Sequence, residues 1–195
     1  GDSYKIIRKY HENFPSKIFK IFDKSSGVEL KNFQDKITKK LEFLKINSFN
    51  GYMFHSTEIF QKNKHIYKDI IELKKRGLIE RLGISVYTND EINFLIDGEF
   101  KFDFIQMPFN VLDNENLRQR VIKKMISNNI EIHVRSIFLQ GIFYMNYNAF
   151  PKKLEPLKKY ISVIKEMCNK SEYNIDDILI NYPKQKKYIK KIIFG

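Results

Sequence analysis

At 195 residues, 43% of them hydrophobic, the chain is long enough to bury a core and has the size of one domain or slightly more. No apolar run approaches the ~20 residues of a membrane span, the first residues lack a signal peptide's layout, and the single Cys168 excludes an internal disulfide or a cysteine-based metal cluster, so a soluble cytoplasmic protein is expected. The formal charge of +12 comes from 35 Lys and Arg against 23 Asp and Glu, but the lysines are scattered through every predicted helix and accompany a surplus of Ile, Asn, Phe and Tyr; AT-rich codons encode that joint bias, so no nucleic-acid partner is expected.

Residues 3–13 read as a short helix with Ile6, Ile7 and Tyr10 on one side, broken by Phe14-Pro15. Lys17 to Phe22 alternates as a strand would, and Leu30 to Leu44 carries Phe33, Ile37, Leu41 and Leu44 at near-helical spacing. The short apolar run Gly51-Tyr52-Met53-Phe54 then ends in His55. A helix over Ile59 to Arg76 stops at Gly77, and a strand follows over Ile79 to Val86. Thr88-Asn89-Asp90-Glu91 is a capping box that starts the next helix. A strand at Phe102 to Gln106, a helix from Glu115 to Ser127 and a strand at Ile130 to Arg135 continue the alternation. Residues 137–151, with Gly141 and Asn148, form the longest loop. Leu154, Leu157, Ile161, Ile164 and Cys168 line one face of a long helix, a shorter helix covers Ile175 to Tyr182, and Tyr188 to Phe194 is the last strand.

Helix alternating with strand is the mark of repeated βα units and a parallel sheet, in a single α/β domain over 1–195. Six strands suit an open doubly wound sheet, whereas a β/α barrel needs eight. The abrupt start without Met and the abrupt stop after a predicted strand lead to the expectation of a fragment of a longer chain.

In parallel α/β folds the chemistry sits where strands become loops, at their C-terminal ends. Successive strand ends here offer Lys24, then His55, then Ser85 in Gly-Ile-Ser-Val-Tyr, then Gln106 in Phe-Ile-Gln-Met-Pro-Phe-Asn, then Arg135-Ser136 in His-Val-Arg-Ser-Ile-Phe-Leu-Gln-Gly. One polar group at each end in turn is an active-site pattern. Taken singly, Lys24 reads as a solvated lysine in a lysine-rich chain, and His55 as an ordinary strand-end histidine. His133 reads as a hydrogen-bonded barrel-interior residue, and His11 and His65 as surface residues on helices.

These motifs, in this order, resemble the aldo/keto reductases from Gly1 to Gly195. Leu78 to Tyr87 is similar to the family's glycine, basic residue and Gly-Val-Ser strand, and Asp103 to Asp113 to its Ile-Gln-x-x-Tyr-Asn segment. The resemblance implies a (β/α)8 TIM barrel, here with about six βα units and without the first two strands, that binds NADPH across its mouth and reduces a carbonyl with an Asp, Tyr, Lys and His tetrad. By that resemblance Lys24 matches the tetrad lysine, preceded by Asp23 where Thr or Ser is common, and His55 the tetrad histidine. Ser85 and Gln106 match residues that hold the nicotinamide carboxamide, and Ser136, Phe138 and Gly141 the loop that meets the pyrophosphate. Arg135 departs from the family, standing where an aromatic residue usually stacks on the nicotinamide.

Gly1-Asp2-Ser3 resembles the family's Tyr-Gly-x-Ser-Glu, with the tyrosine one residue before Gly1 and Tyr4 at the glutamate position, where it is not expected to replace the missing acid. At the other end, Ile192 to Gly195 resembles the eighth strand and its glycine. The expectation is therefore a parent reductase acting on a small-molecule carbonyl, sugar-derived by likeness of Val111-Leu112-Asp113 and Ile132 to Gly141 to bacterial surface-carbohydrate reductases, and a chain that is inactive alone. A non-catalytic NADP(H)-binding or regulatory barrel is the competing expectation.

Overall fold

Helix and strand alternate along the chain as the hydrophobic patterning predicts. The computed structural model describes residues 2–25, 32–98, 100–146 and 150–194. The expected roles of Gly1, Leu30, Asn148 and Gly195 lie outside the described residues. Six strands, β1 (Phe22–Ser25), β2 (Gly51–Phe54), β3 (Leu82–Ser85), β4 (Phe104–Pro108), β5 (Glu131–Arg135) and β6 (Ile189–Ile192), follow one another in the sheet in sequence order. The chain divides into two compact units, Gly1–Val86 with Glu99–Ile105 and Tyr87–Gly98 with Gln106–Gly195.

In the first unit β1 and β2 pair in parallel with Phe22 opposite Gly51, and β2 pairs with β3 with Tyr52 opposite Leu82. Parallel neighbours need a crossover, and the helices supply it. α1 (Ser3–Asn13) precedes β1, α2 (Phe33–Leu44) leads to β2, and α3 (Thr57–Lys62) and α4 (Tyr67–Lys75) lead to β3. The four residues expected on the inner face of α2, Phe33, Ile37, Leu41 and Leu44, are all buried. α4 ends where expected, with Gly77 at φ 75° and Leu78 N–H reaching back to the Leu73 carbonyl at 3.0 Å.

Three expectations need correction in this unit. The strand predicted over Lys17 to Phe22 begins only at Phe22, because the Phe19 N–H donates to His11 Nε2 at 3.1 Å instead of to a neighbouring strand, and the Phe19 ring stacks on Tyr10 with centroids 4.5 Å apart. His11 is thus not a surface residue: it is 2% exposed, and its Nδ1 lies 2.7 Å from the Leu44 carbonyl oxygen. The single helix predicted over Ile59 to Arg76 is broken at Asn63, whose side-chain amide donates to the Ile59 carbonyl at 2.8 Å and competes with the helical ladder; a 3-10 turn, Lys64–Ile66, bridges the break. His65, in that turn, is exposed as expected.

Phe22 and Phe104 meet edge to face at 5.5 Å on one side of the first unit's strands. Glycines make the room: a Cβ on Gly51 would stand 2.3 Å from the Phe22 ring, and one on Gly83 2.2 Å from the Phe104 ring. On the other side, Tyr52 packs on Phe33 of α2 and Phe54 on Phe60 of α3, at 5.2 and 5.1 Å between centroids. The sheet therefore has a glycine-and-phenylalanine side and a helix-covered side.

The second unit holds α5 (Asn89–Asp97), α6 (Glu115–Ser127), α7 (Lys158–Asn169) and α8 (Ile175–Lys184) with β5 and β6, which pair in parallel from Ile132 opposite Ile189 to Val134 opposite Ile192. The capping box at Thr88 is present, with Thr88 Oγ1 accepting from Glu91 N–H and Glu91 reaching back to Thr88 N–H. Ile142, Phe143, Phe150, Ile161 and Leu179 form this unit's buried cluster, with Leu154, Leu157 and Ile164 packed against it as the helical spacing predicts. The long helix begins at Lys158 rather than Leu154, since Pro156 lacks an N–H and holds Lys152–Leu157 in a 3-10 form. His133 is buried and lies 3.1 Å from Glu131 Oε2, the hydrogen-bonded interior residue expected.

Candidate active site

Lys24 lies in β1, part-buried, two residues after Phe22. Strand alternation puts it on the glycine-and-phenylalanine side, as it does Ser85, two residues after Gly83 in β3 and 2% exposed. His55 is the first residue beyond β2 and is exposed. Each of the three thus stands within one residue of the C-terminal end of its strand.

Asp23 points to the opposite side from Lys24. It is 7% exposed, and its carboxylate collects three donors: the Tyr4 hydroxyl, the Lys40 ammonium at 3.0 Å and the backbone N–H of Lys24 at 2.9 Å. α1 supplies Tyr4 and α2 supplies Lys40, whose Nζ also lies 5.5 Å over the Tyr4 ring. The phenol's pKa is pushed up from 10.0 to about 12, first by burial and then by its bond to Asp23. A proton-donating tyrosine for carbonyl reduction is served by the reverse shift. What the sequence does not give away is that the departure at Asp23 carries a buried ion pair.

In the second unit Gln106 is buried in the middle of β4 rather than at a strand end as expected, because the strand runs on to Pro108, and Arg135 ends β5. The Arg135 guanidinium lies 4.3 Å over the exposed ring of Tyr87, and its Nη1 donates to Ser136 Oγ at 3.2 Å. Ser136 has φ 61°, in the left-handed region, and is held there by Asn110 Nδ2 donating to its carbonyl at 3.2 Å. The backbone turns left-handed again at Leu139, Gln140 and Gly141, so the 3-10 segment Leu139–Tyr144 is kinked. Within this turn Leu139 N–H donates to the Ser136 carbonyl at 3.1 Å and Gly141 N–H to the Phe138 carbonyl at 2.9 Å. Beside it lies a cavity of about 430 Å³ lined by Ser136, Phe138, Gly141, Ile193 and Phe194 among others, with the Phe138 and Phe194 rings edge to face at 6.4 Å.

The sequence matches the aldo/keto reductase family over residues 2–194. The chain belongs to the aldo/keto reductase family. Among solved structures, the aldo-keto reductase AKR11C1 of Bacillus halodurans in its holo form superposes with a TM-score of 0.70 at 15% identity, over 97% of this chain and 66% of that one. The thermostable aldo-keto reductase Tm1743, bound to the inhibitor epalrestat, superposes at 0.67 and 15% identity over 98% and 66%. A curated protein, the CRISPR-associated endoribonuclease Cas13a of Leptotrichia wadei, is 28% identical over 197 residues, which is 96% of this chain and 16% of that protein. The chain thus spans about two-thirds of the reductase structures and a small part of the curated relative.

The fold is the family's α/β barrel, incomplete here: six strands lie among the described residues where a closed (β/α)8 barrel has eight. No described helix is long and apolar enough to cross a membrane. Two groups around the strand ends are not among the residues expected from the sequence. Tyr87 gave no sign of its stacking on Arg135. Arg118 did give one: it falls on the buried stripe of α6 with Val121, Ile122 and Met125, and a charge on an apolar stripe needs a partner. It donates twice to Asp113, at 2.7 and 2.6 Å, and once each to Asn89 Oδ1 and the Tyr87 carbonyl.

Proposed function

We propose that this chain is, or forms part of, an NADPH-dependent reductase of aldehydes or ketones, with a small sugar-derived carbonyl as the substrate class. The observation that carries the reading is the placement of Lys24, His55, Ser85 and Arg135 within one residue of the C-terminal ends of their own strands, in a chain of this family. In this reading Lys24 and His55 serve the carbonyl oxygen, which gathers negative charge as a hydride reaches the carbon. Ser85 and Gln106 take the carboxamide of the nicotinamide. The turn through Ser136, Phe138 and Gly141 borders a cavity of about 430 Å³ that would take the pyrophosphate, and Arg135 stands next to it. The cofactor supplies the hydride; these residues supply position and field.

The competing proposal is a barrel that binds NADP(H) without turnover. It is favoured by the state of Tyr4, whose hydroxyl is engaged by Asp23 and whose pKa, pushed up to about 12, suits it poorly to protonate a carbonyl oxygen.

The test is NADPH fluorescence on the full-length protein, followed by carbonyl-dependent NADPH oxidation over a panel that includes sugar aldehydes. Binding with turnover is expected, and Lys24→Met is expected to lower kcat/KM by about 10²-fold or more. Binding with no turnover on any carbonyl would move the assignment to the non-catalytic barrel. An RNA oligonucleotide belongs in the same series because of the charge of +12 and the similarity to part of an endoribonuclease. No salt-dependent RNA binding is expected, and a steep salt dependence would replace the reductase reading with a nucleic-acid one.

A further inference from the structure

On α2, Lys36, Lys39, Lys40 and Phe43 follow one another at i, i+3, i+4 and i+7, a spacing that brings three ammonium groups and a ring to one side of the helix. With Tyr4 of α1 they line a cavity of about 400 Å³, the size of a small-molecule site. Both rings are held in place. The Tyr4 hydroxyl is on the Asp23 carboxylate, and the Arg8 guanidinium, itself paired with Glu12 at 2.9 Å, lies 4.8 Å over the Phe43 ring. The three lysines are not equivalent. Lys40 is paired with Asp23 at 3.0 Å, whereas Lys36 and Lys39 have no carboxylate partner among the described residues, the neighbouring Asp35 and Glu42 of α2 included. Two rings and the aliphatic stems of the lysines thus form an apolar floor, with two ammonium groups at its rim.

We propose that this groove binds a free aryl phosphate monoester, with its ring against Tyr4 and Phe43 and its phosphate on Lys36 and Lys39. The aromatic lining suits a flat apolar body. The near-dianion of a phosphate monoester at neutral pH matches the two ammonium groups in charge, and flexible lysine stems let both reach its oxygens. Tyr4 and Lys40 meet Asp23 on the side of β1 opposite to Lys24, so the groove is separate from the residues proposed for carbonyl reduction and its ligand is independent of the reductase reading.

The experiment is calorimetric titration of the full-length protein with 1-naphthyl phosphate, and with 1-naphthol and inorganic phosphate as its two halves. The ester should bind at least tenfold more tightly than either half. Lys36→Gln with Lys39→Gln should weaken it by about tenfold, since each exposed charge pair contributes up to about fivefold. Lys68→Gln with Lys123→Gln removes the same charge from exposed positions on α4 and α6 and should leave binding within about twofold. Saturating NADPH should leave the titration unchanged. Equal weakening in the two double variants would reduce the effect to net charge and overturn the proposal. Unaltered binding in the groove variant would overturn it too, as would displacement by NADPH, which would put the probe in the cofactor site. Failure of the wild type to bind the ester would do the same, and binding to phosphatidylglycerol vesicles alone would replace the free ligand with a membrane surface.

Discussion

The hydroxyl of Tyr4 donates to the carboxylate of Asp23, and Lys40 closes on the same carboxylate from α2, so a buried acid on β1 ties the helix before that strand and the helix after it to the strand that carries Lys24. The phenol's value in the folded protein, about 12, lies above its ordinary 10.0. Below about pH 10 both folded and unfolded chains hold the proton and the contribution is intact. Between about pH 10 and about 12 the unfolded chain loses its proton first, so stability falls as pH rises. Urea midpoints measured across that range should drop, and Tyr4→Phe should flatten the drop. An unaltered slope in the variant would mean that another group drives the loss.

Asp23→Ala should leave Lys40 and the Tyr4 hydroxyl without their shared acceptor. Because the carboxylate is 7% exposed, a loss of about 2–4 kcal/mol is expected from urea unfolding. Asp23→Asn, which keeps an acceptor, should cost less.

Gly83→Ala places a methyl 2.2 Å from the Phe104 ring, where nothing can stay in place. Overpacking of this kind costs about 1–3 kcal/mol. The double variant Gly83→Ala with Phe104→Leu should be more stable than the sum of its two single losses predicts, and strict additivity would show that the ring moves aside freely.

His11→Ala removes a ring that bridges three segments, meeting the Leu44 carbonyl at 2.7 Å and the Phe19 N–H at 3.1 Å. The buried Leu44 carbonyl and the part-buried Phe19 N–H would lose their partner, which is expected to lower stability by about 1–3 kcal/mol. Hydrogen exchange should accelerate at Phe19, and protection there unchanged in the variant would rule out the bridge.

Arg118→Lys keeps the charge but not the fork. It should lose the two-point pair with Asp113 and the contact to the Tyr87 carbonyl, and cost about 1–3 kcal/mol in thermal unfolding. A variant as stable as the wild type would make the buried pair dispensable.

How much of this was legible in the sequence follows from which interactions are local. The helix of α6, the cap at Thr88, the stop at Gly77 and the inner face of α2 depend on residues within one or two turns of each other, so spacing and capping chemistry were enough to place them. The placement of Lys24, His55, Ser85 and Arg135 near strand ends was legible too, because a βα repeat delivers one strand end per period, whereas Gln106 falls inside β4. The start of β1, the burial of His11, the break at Asn63, the acceptor role of Asp23 and the ring under Arg135 were decided elsewhere. Except at Asn63, where a side-chain amide outcompetes one turn of helix, each depends on a partner 8 to 48 residues away in the chain: Phe19 on His11, His11 on Leu44, Asp23 on Tyr4 and Lys40, Arg135 on Tyr87. Periodicity tells a residue which side of its own element it occupies. Only the packed structure tells it what stands opposite, and for a buried charge or ring nitrogen that partner decides whether burial is tolerated.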